Sequence, residues 1–233
     1  MTTIERADGL LWAVEPGTDD GHGLSEHEST ITKVVLDLLP QDPPGGRKFP
    51  YDGGTLLDIG AHVGHYTLRA AALGHRVIAV EANPSTAGRL YENVVRNGLT
   101  RRVRIIPEPA WDEAIALKWV SWHPGPAGIR DGSGRVLEDP EGDMIGLVLD
   151  DVLGTEPAID VVKIDAEGSD MHVLRGIRAT LKRCRPVLWI ELHTFLGTYT
   201  EADLAALMGE LNYSHQVGGE WQGLTYWLCK PNG

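Results

Sequence analysis

Cysteine is scarce: Cys184 and Cys229 are the two in 233 residues. They lie far apart and form no C-x-x-C pair, which removes a disulfide framework and leaves a reducing cytosol as the expected setting. No apolar run approaches the ~20 residues needed to span a bilayer. The opening residues, Met1-Thr-Thr-Ile-Glu-Arg6, lack a basic segment followed by an apolar one, so no secretory leader is expected. Basic residues are few, 21 Lys and Arg against 33 Asp and Glu, for a formal net charge of −12. Such a chain has no broad cationic face with which to release counterions from nucleic acid. The expectation is a soluble, cytoplasmic protein with neither nucleic acid nor membrane as partner, its acid excess spread over a solvated surface.

The rest of the composition is ordinary, 42% hydrophobic and 23% charged. The length suits one α/β domain with a full core, or two small ones. No repeat is visible, and one domain over 1–233 is expected. Residues 1–50 would form a largely helical extension, with Leu10–Val14 as a short strand. Ser25-Glu-His-Glu28 has the form of a capping box ahead of the helically spaced Ile31, Val34, Val35, Leu38 and Leu39. The segment from Pro40 to Gly54 holds four prolines and four glycines and reads as a linker.

Strand and helix patterns then alternate. Leu56-Leu57 with Ile59, Arg76–Val80, Val103–Ile106, Ile159–Ile164 and Pro186–Ile190 read as strands. Between them, helices are predicted over Tyr66–Leu73, from Pro84 with Asn83 as cap, and from Ser169 through Leu181. Thr200–Asp203 opens a last helix whose buried stripe is Leu204, Leu207, Met208 and Leu211. Tyr213–Val217 and Leu224–Cys229 would close the chain as an antiparallel pair across Gly218-Gly219. A segment over 114–149 reads as an insertion holding a strand at Ala114–Trp122, a long loop over 123–143 and a strand at Met144–Leu149. Repeated strand-helix units imply a mostly parallel sheet with helices on both faces.

The chemistry concentrates where the first of these strands ends. In Thr55-Leu-Leu-Asp-Ile-Gly-Ala-His-Val-Gly-His-Tyr-Thr67, glycines at a strand-to-helix turn let the backbone approach a ligand. The N–H groups of the new helix would then face that ligand. The second strand ends in Glu81, where a carboxylate can accept hydrogen bonds from both hydroxyls of a ribose. A dinucleotide fold requires G-x-G-x-x-G, whereas this turn is Asp58-x-Gly60-x-x-x-Gly64. The spacing therefore points to a different nucleoside-containing cofactor. Farther on, Asp165-Ala-Glu-Gly168 lies at the carboxyl end of a strand, where open α/β sheets bind ligands.

The segments Leu57–Thr67, Val80-Glu-Ala-Asn-Pro84, Asn93 with Asn97, Val162-Lys-Ile-Asp-Ala-Glu-Gly168, Leu174-Arg-Gly176 and Ile190-Glu-Leu-His193 together resemble the FkbM methyltransferases. That resemblance covers about three fifths of the chain, with His62 where the family usually has Asn and Asp170 where Glu is common. It implies a Rossmann-like, seven-stranded class I methyltransferase fold. It also implies S-adenosylmethionine as cofactor, S-adenosylhomocysteine as product, and methyl transfer to oxygen in a small molecule or sugar. Asp58, Gly60, Ala61, His62, Gly64 and Tyr66 would then cradle the methionine end, with Asp58 toward the ammonium. Glu81, Ala82 and Asn83 would form the ribose loop, and Ala110 and Asp112 would meet the adenine.

Asp165 would face the sulfonium and acceptor, where a carboxylate can orient a hydroxyl or take its proton. Glu167 and His193 complete the catalytic candidates, His193 because imidazole titrates near neutrality. Each has a plainer reading: Asn83 as helix cap, Asp112 in a surface turn, Glu167 opening a helix, His193 as a hydrogen-bonded structural residue. Asp165, Glu167, Glu191 and His193 could form an oxygen-and-imidazole metal site, but the spacing does not demand one and no metal is expected. A homodimer stays open. The rival readings are an NAD-dependent oxidoreductase, a non-catalytic cofactor-binding partner protein and, against the charge, an RNA methyltransferase.

Overall fold

The computed structural model describes residues 3–14, 26–41, 53–122, 134–221 and 223–233. The capping box at Ser25, most of the 40–54 linker and 123–133 of the expected loop lie outside them. The chain begins with a hairpin, β1 (Thr3–Ala7) and β2 (Leu10–Val14), then α1 (Glu26–Asp37). Next come β3 (Thr55–Ile59), α2 (His65–Ala72), β4 (Arg76–Val80), α3 (Pro84–Arg96) and β5 (Val103–Ile106). The insertion contributes β6 (Ala110–Trp111), β7 (Ala116–Ser121), β8 (Gly134–Glu138), β9 (Met144–Ile145) and β10 (Leu147–Val148), leading into α4 (Leu149–Leu153). The remainder is β11 (Val161–Ile164), α5 (Asp170–Gly176), α6 (Arg178–Cys184), β12 (Val187–Leu192), α7 (Glu201–Glu210), β13 (Tyr213–Trp221) and β14 (Leu224–Pro231).

Seven strands form the central sheet in the order β13-β14-β12-β11-β3-β4-β5. β12, β11, β3, β4 and the edge strand β5 pair in parallel, and β14 pairs antiparallel with both β12 and β13. Because successive strand side chains point to opposite faces, each inner strand feeds two cores. Leu57, Ile59, Val162, Ile164, Leu188 and Ile190 pack with α4 to α7, while Leu56, Val77, Ala79, Val161 and Trp189 pack with α1, α2 and α3. The same alternation puts Asp58 and Lys163 on the second of these faces, directly opposite each other in register. Among the described residues no helix is long and apolar enough to cross a membrane.

Local signals explain most element ends. Asn83 Oδ1 accepts from the N–H groups of Ser85 and Thr86, with Pro84 in the first helical turn. Thr200 and Asp203 form a reciprocal capping box on α7. Four details differ from expectation. Ser169 precedes α5, but its side chain caps nothing, and the helix ends at Gly176 before α6 begins. A Cβ on Gly176 would lie 2.1 Å from the Trp111 carbonyl oxygen, so α5 can meet β6 only with glycine there. Gly218 and Gly219 are not a turn but sit at a bulge inside β13, where a Cβ on Gly218 would strike the Trp189 ring. Residues 134–138 are not loop: they form β8, antiparallel to β7. The expected strand at Met144–Leu149 is broken at Gly146, where a Cβ would meet the Glu113 carbonyl oxygen at 2.4 Å.

The amino-terminal hairpin is a larger addition than the single expected strand. Two asparagines, Asn93 of α3 and Asn97 at its carboxyl-terminal cap, clamp it. Ala13 N–H donates to Asn93 Oδ1 at 2.5 Å, and Leu11 exchanges bonds with Asn97 at 2.9 and 2.7 Å. Asn93 Nδ2 also donates to the Val63 carbonyl at 3.0 Å, so one amide ties the hairpin to the turn after β3. Trp12 is fully buried and stacks on His65, at 5.4 Å between ring centroids.

Candidate active site

The turn after β3 sits hard against the end of β11. Gly60 has φ 75°, and a Cβ there would lie 1.8 Å from the Asp165 carbonyl oxygen. Gly60 and Ala61 N–H both donate to the Val80 carbonyl at 3.0 Å, His62 N–H donates to Glu81 Oε2 at 2.8 Å, and Gly64 N–H donates to the Ala61 carbonyl at 2.9 Å. These four turn donors, all ahead of the first residue of α2, are therefore spent on the protein. His62 and Glu167, both on the cavity wall, hold positive φ values of 51° and 50°. Such conformations are uncommon for residues with a Cβ and collect at functional sites.

Glu81 closes the end of β4. Its Oε1 accepts from Asn83 N–H at 2.9 Å and its Oε2 from His62 N–H, which aims the carboxylate along the cavity. Burial pushes its pKa up to about 7, with the two N–H donors opposing. Asp58 lies deeper. It is fully buried, Thr67 Oγ1 donates to its Oδ2 at 2.6 Å, and it is not among the cavity-lining residues. Lys163 joins the two strand ends, its Nζ donating to the Gly60 carbonyl at 2.8 Å and to Asp165 Oδ2 at 3.2 Å. It also lies 3.7 Å from Asp58 Oδ1. Burial disfavours the ammonium, but Asp165 and Asp58 outweigh it and raise the Lys163 pKa. Sequence reasoning gave Lys163 no role, although its place two residues before Asp165 put it on the same strand face.

Beyond β11 and β12 four carboxylates surround one imidazole. His193 Nε2 lies 3.7 Å from Asp165 Oδ1, 3.4 Å from Glu167 Oε2 and 3.5 Å from Glu191 Oε1, while Nδ1 lies 3.7 Å from Asp170 Oδ2. His193 N–H donates to the Tyr199 hydroxyl at 3.0 Å, fixing the backbone. Burial pushes the His193 pKa down, yet Asp170, Asp165 and Glu167 lift it to about 10. Burial raises the Asp165 carboxyl, but Lys163 and His193 more than offset this and leave it below its ordinary value. Glu167 and Glu191 are raised to about 7 and about 8, in each case by burial and then by the Asp165 charge. His193 is 2% exposed and stands behind the carboxylates. Against a neutral imidazole base at the acceptor, the surrounding carboxylates favour the protonated ring, and its place behind them suits a positioning role.

These groups meet a cavity of about 320 Å³. Its walls include Gly60, Ala61, His62, Tyr66, Glu81, Ala82, Ala110, Lys163, Asp165, Glu167 and Glu191, so most of the predicted residues converge. Asn83 does not reach it, being fully buried as the α3 cap. Asp112 turns away: its Oδ1 is 2.7 Å from His172 Nδ1 and its Oδ2 is 3.8 Å from Arg175. His172 in turn stacks on Trp111 at 3.9 Å, a partner 60 residues along the chain from Asp112 and unreadable from its local pattern. A second cavity of about 470 Å³ shares Arg135, Val136, Glu167 and Ser169 with the first. Arg135 was not singled out by sequence. It comes from β8, its guanidinium lies 5.2 Å from the Trp122 ring centre, and its Nε is buried without a hydrogen-bond partner.

Known proteins share both pattern and fold. The hexuronic acid methyltransferase AglP of Haloferax volcanii is 29% identical over 194 residues, covering 82% of this chain and 71% of that protein. The precorrin-6y C5,15-methyltransferase of Geobacter metallireducens superposes with a TM-score of 0.52 at 14% identity, over 88% of each chain. An FkbM methyltransferase structure from Methylobacillus flagellatus gives 0.51 at 15% identity, over 91% of this chain and 53% of that one. The sheet order is accordingly that of class I methyltransferases. The model of the methyltransferase FkbM domain matches residues 58–215, from the carboxylate of β3 to the start of β13, and the chain belongs to that family.

Proposed function

We propose that this methyltransferase transfers a methyl group from S-adenosylmethionine to an oxygen of a small, sugar-type acceptor that carries an anionic group. The observation that carries the reading is Asp165, a carboxylate on the cavity wall at the end of β11, anchored through Oδ2 by Lys163. The donor set suits the cofactor. All of these line the cavity wall: Glu81 would offer its buried carboxylate to the ribose, Ala82 and Ala110 their backbone to the base, and His62 and Tyr66 would hold the methionine end. Asp58 would act from behind, by holding Lys163 and Thr67. When bound, S-adenosylmethionine supplies a methyl carbon on a sulfonium, open to in-line displacement. Asp165 orients the acceptor hydroxyl along that line and receives its proton, a positioning and general-base role. His193 acts through Asp165 and Glu167 as a positioning residue. The free cysteines, with Cys229 buried, fit a reducing compartment.

The anionic group of the acceptor follows from Arg135, which stands between the two cavities with no hydrogen bond to its Nε. A carboxylate such as that of a uronic acid would give it a charge-assisted partner, in keeping with a relative that acts on hexuronic acid. Arg135→Gln is expected to raise KM for a uronate acceptor about tenfold, the worth of one charge-assisted hydrogen bond. KM for the matching neutral sugar should stay put. Equal effects on both acceptors would remove the carboxylate from the proposal.

Calorimetric titration tests the cofactor. S-adenosylhomocysteine should bind saturably and NADH should not. Because Glu81 accepts best when ionised and its pKa is raised to about 7, affinity should be constant above pH 8. It should fall roughly tenfold on going to pH 6, as one proton is taken up. Glu81→Gln should bind more weakly and show no such slope. A flat profile in the unmodified protein would take Glu81 out of the ribose site.

A further inference from the structure

We propose that Asp165, Glu167 and His193 form a divalent-cation site at the acceptor end of the cavity, suited to an ion of the Mn²⁺ class. Its catalytic use rests on the methyl-transfer reading, whereas its existence does not. One donor atom from each residue lies within 4.8 Å of the others. Nε2 of His193 meets carboxylate oxygens at 3.4 to 3.7 Å, all beyond the 2.7–3.2 Å of an N–H···O hydrogen bond. Neighbouring donors around an ion with bonds of about 2.1 Å stand roughly 3.0 Å apart, so a small inward shift closes the shell.

The surroundings support a ligand rather than a packed histidine. The ring is 2% exposed, and its Nδ1 is buried without a hydrogen-bond partner. Nδ1 lies 3.7 Å from the fully buried Asp170, a carboxylate that would orient a ligating imidazole once the two close to hydrogen-bond distance. Lys163 engages Oδ2 of Asp165, leaving Oδ1 on the side of His193. Asp165, Glu167, Asp170 and Glu191 gather within 3.7 Å of one imidazole, so oxygen donors surround the ring on both nitrogens. Two carboxylates and one imidazole suit Mn²⁺ better than thiol-seeking ions, and three protein donors leave positions open for acceptor oxygens. On binding, the ion takes the Nε2 lone pair and the ring's proton leaves to solvent.

The test is titration of the full chain with Mn²⁺, read by loss of the free-ion paramagnetic resonance signal, with and without S-adenosylhomocysteine. One saturable site in the micromolar range is expected, unchanged by S-adenosylhomocysteine. Glu167→Gln should weaken it at least tenfold while leaving the thermal melt and S-adenosylhomocysteine affinity in place, and His193→Gln should do the same to Mn²⁺. No saturable binding, equal affinity in Glu167→Gln, or competition between Mn²⁺ and S-adenosylhomocysteine would each overturn the site. Failure of S-adenosylhomocysteine to bind the unmodified protein, with Mn²⁺ binding intact, would count against the methyl-transfer reading alone.

Discussion

Asp165→Asn is expected to lower kcat by about two to four orders of magnitude, the usual worth of a positioned general base. The dissociation constant for S-adenosylhomocysteine should change little. Asparagine keeps the shape and can still accept a hydrogen bond from Lys163, so the wall of the cavity stays in place. What it loses is the charge that orients an acceptor hydroxyl and the capacity to receive a proton. The side chain is 30% exposed, into the cavity, whereas its neighbour Asp58 is wholly buried. Single-turnover kinetics with saturating cofactor separates chemistry from binding. A fall in rate matched by an equal loss of cofactor affinity would move Asp165 into the cofactor site, and a fall under tenfold would remove it from catalysis.

Lys163→Met should destabilise the protein by about 3–5 kcal/mol, the cost of leaving a buried carboxylate without its partner. Against a total stability of roughly 5–15 kcal/mol for a domain, that is a large share. The side chain is 3% exposed and faces Asp58, which is 0% exposed. It also spans from β11 to the Gly60 carbonyl at 2.8 Å, bracing the turn that borders the cavity. Urea denaturation measures the loss. Adding Asp58→Asn to Lys163→Met should recover part of it, since the orphaned charge is then gone. A loss under about 1 kcal/mol, or no recovery in the double variant, would mean that the ammonium is not what holds these strand ends together.

The candidate site was legible in proportion to how far each role is local. Glu81 could be placed on the cavity wall because the end of a strand about twenty residues after the turn is a position in sequence. Asn83 and the Thr200–Asp203 box could be assigned because a cap is a contact within one helical turn. Asp112 could not be placed, because its partner His172 reaches it across 60 residues of sequence. His193 reads in sequence as a base, because free imidazole titrates near neutrality, or as a hydrogen-bonded structural residue. Four carboxylates gathered from two strand ends and α5 favour its protonated form, and no local pattern contains their sum. The hairpin seated on Asn93 and Asn97 eluded the sequence for the same reason, its contacts lying 80 and 86 residues away.

By itself the sequence determined the inner strands, most helices and their caps, the glycine turn and the family, since periodicity, capping and turn chemistry act over a few residues. The tertiary structure alone decided which charges became neighbours. Register set Lys163 beside Asp58, and the parallel ends of β11 and β12 brought Asp165, Glu167 and Glu191 around His193. Burial then shifted their ionisation, because charge in a desolvated site answers to every neighbour within a few ångströms, whatever its distance along the chain.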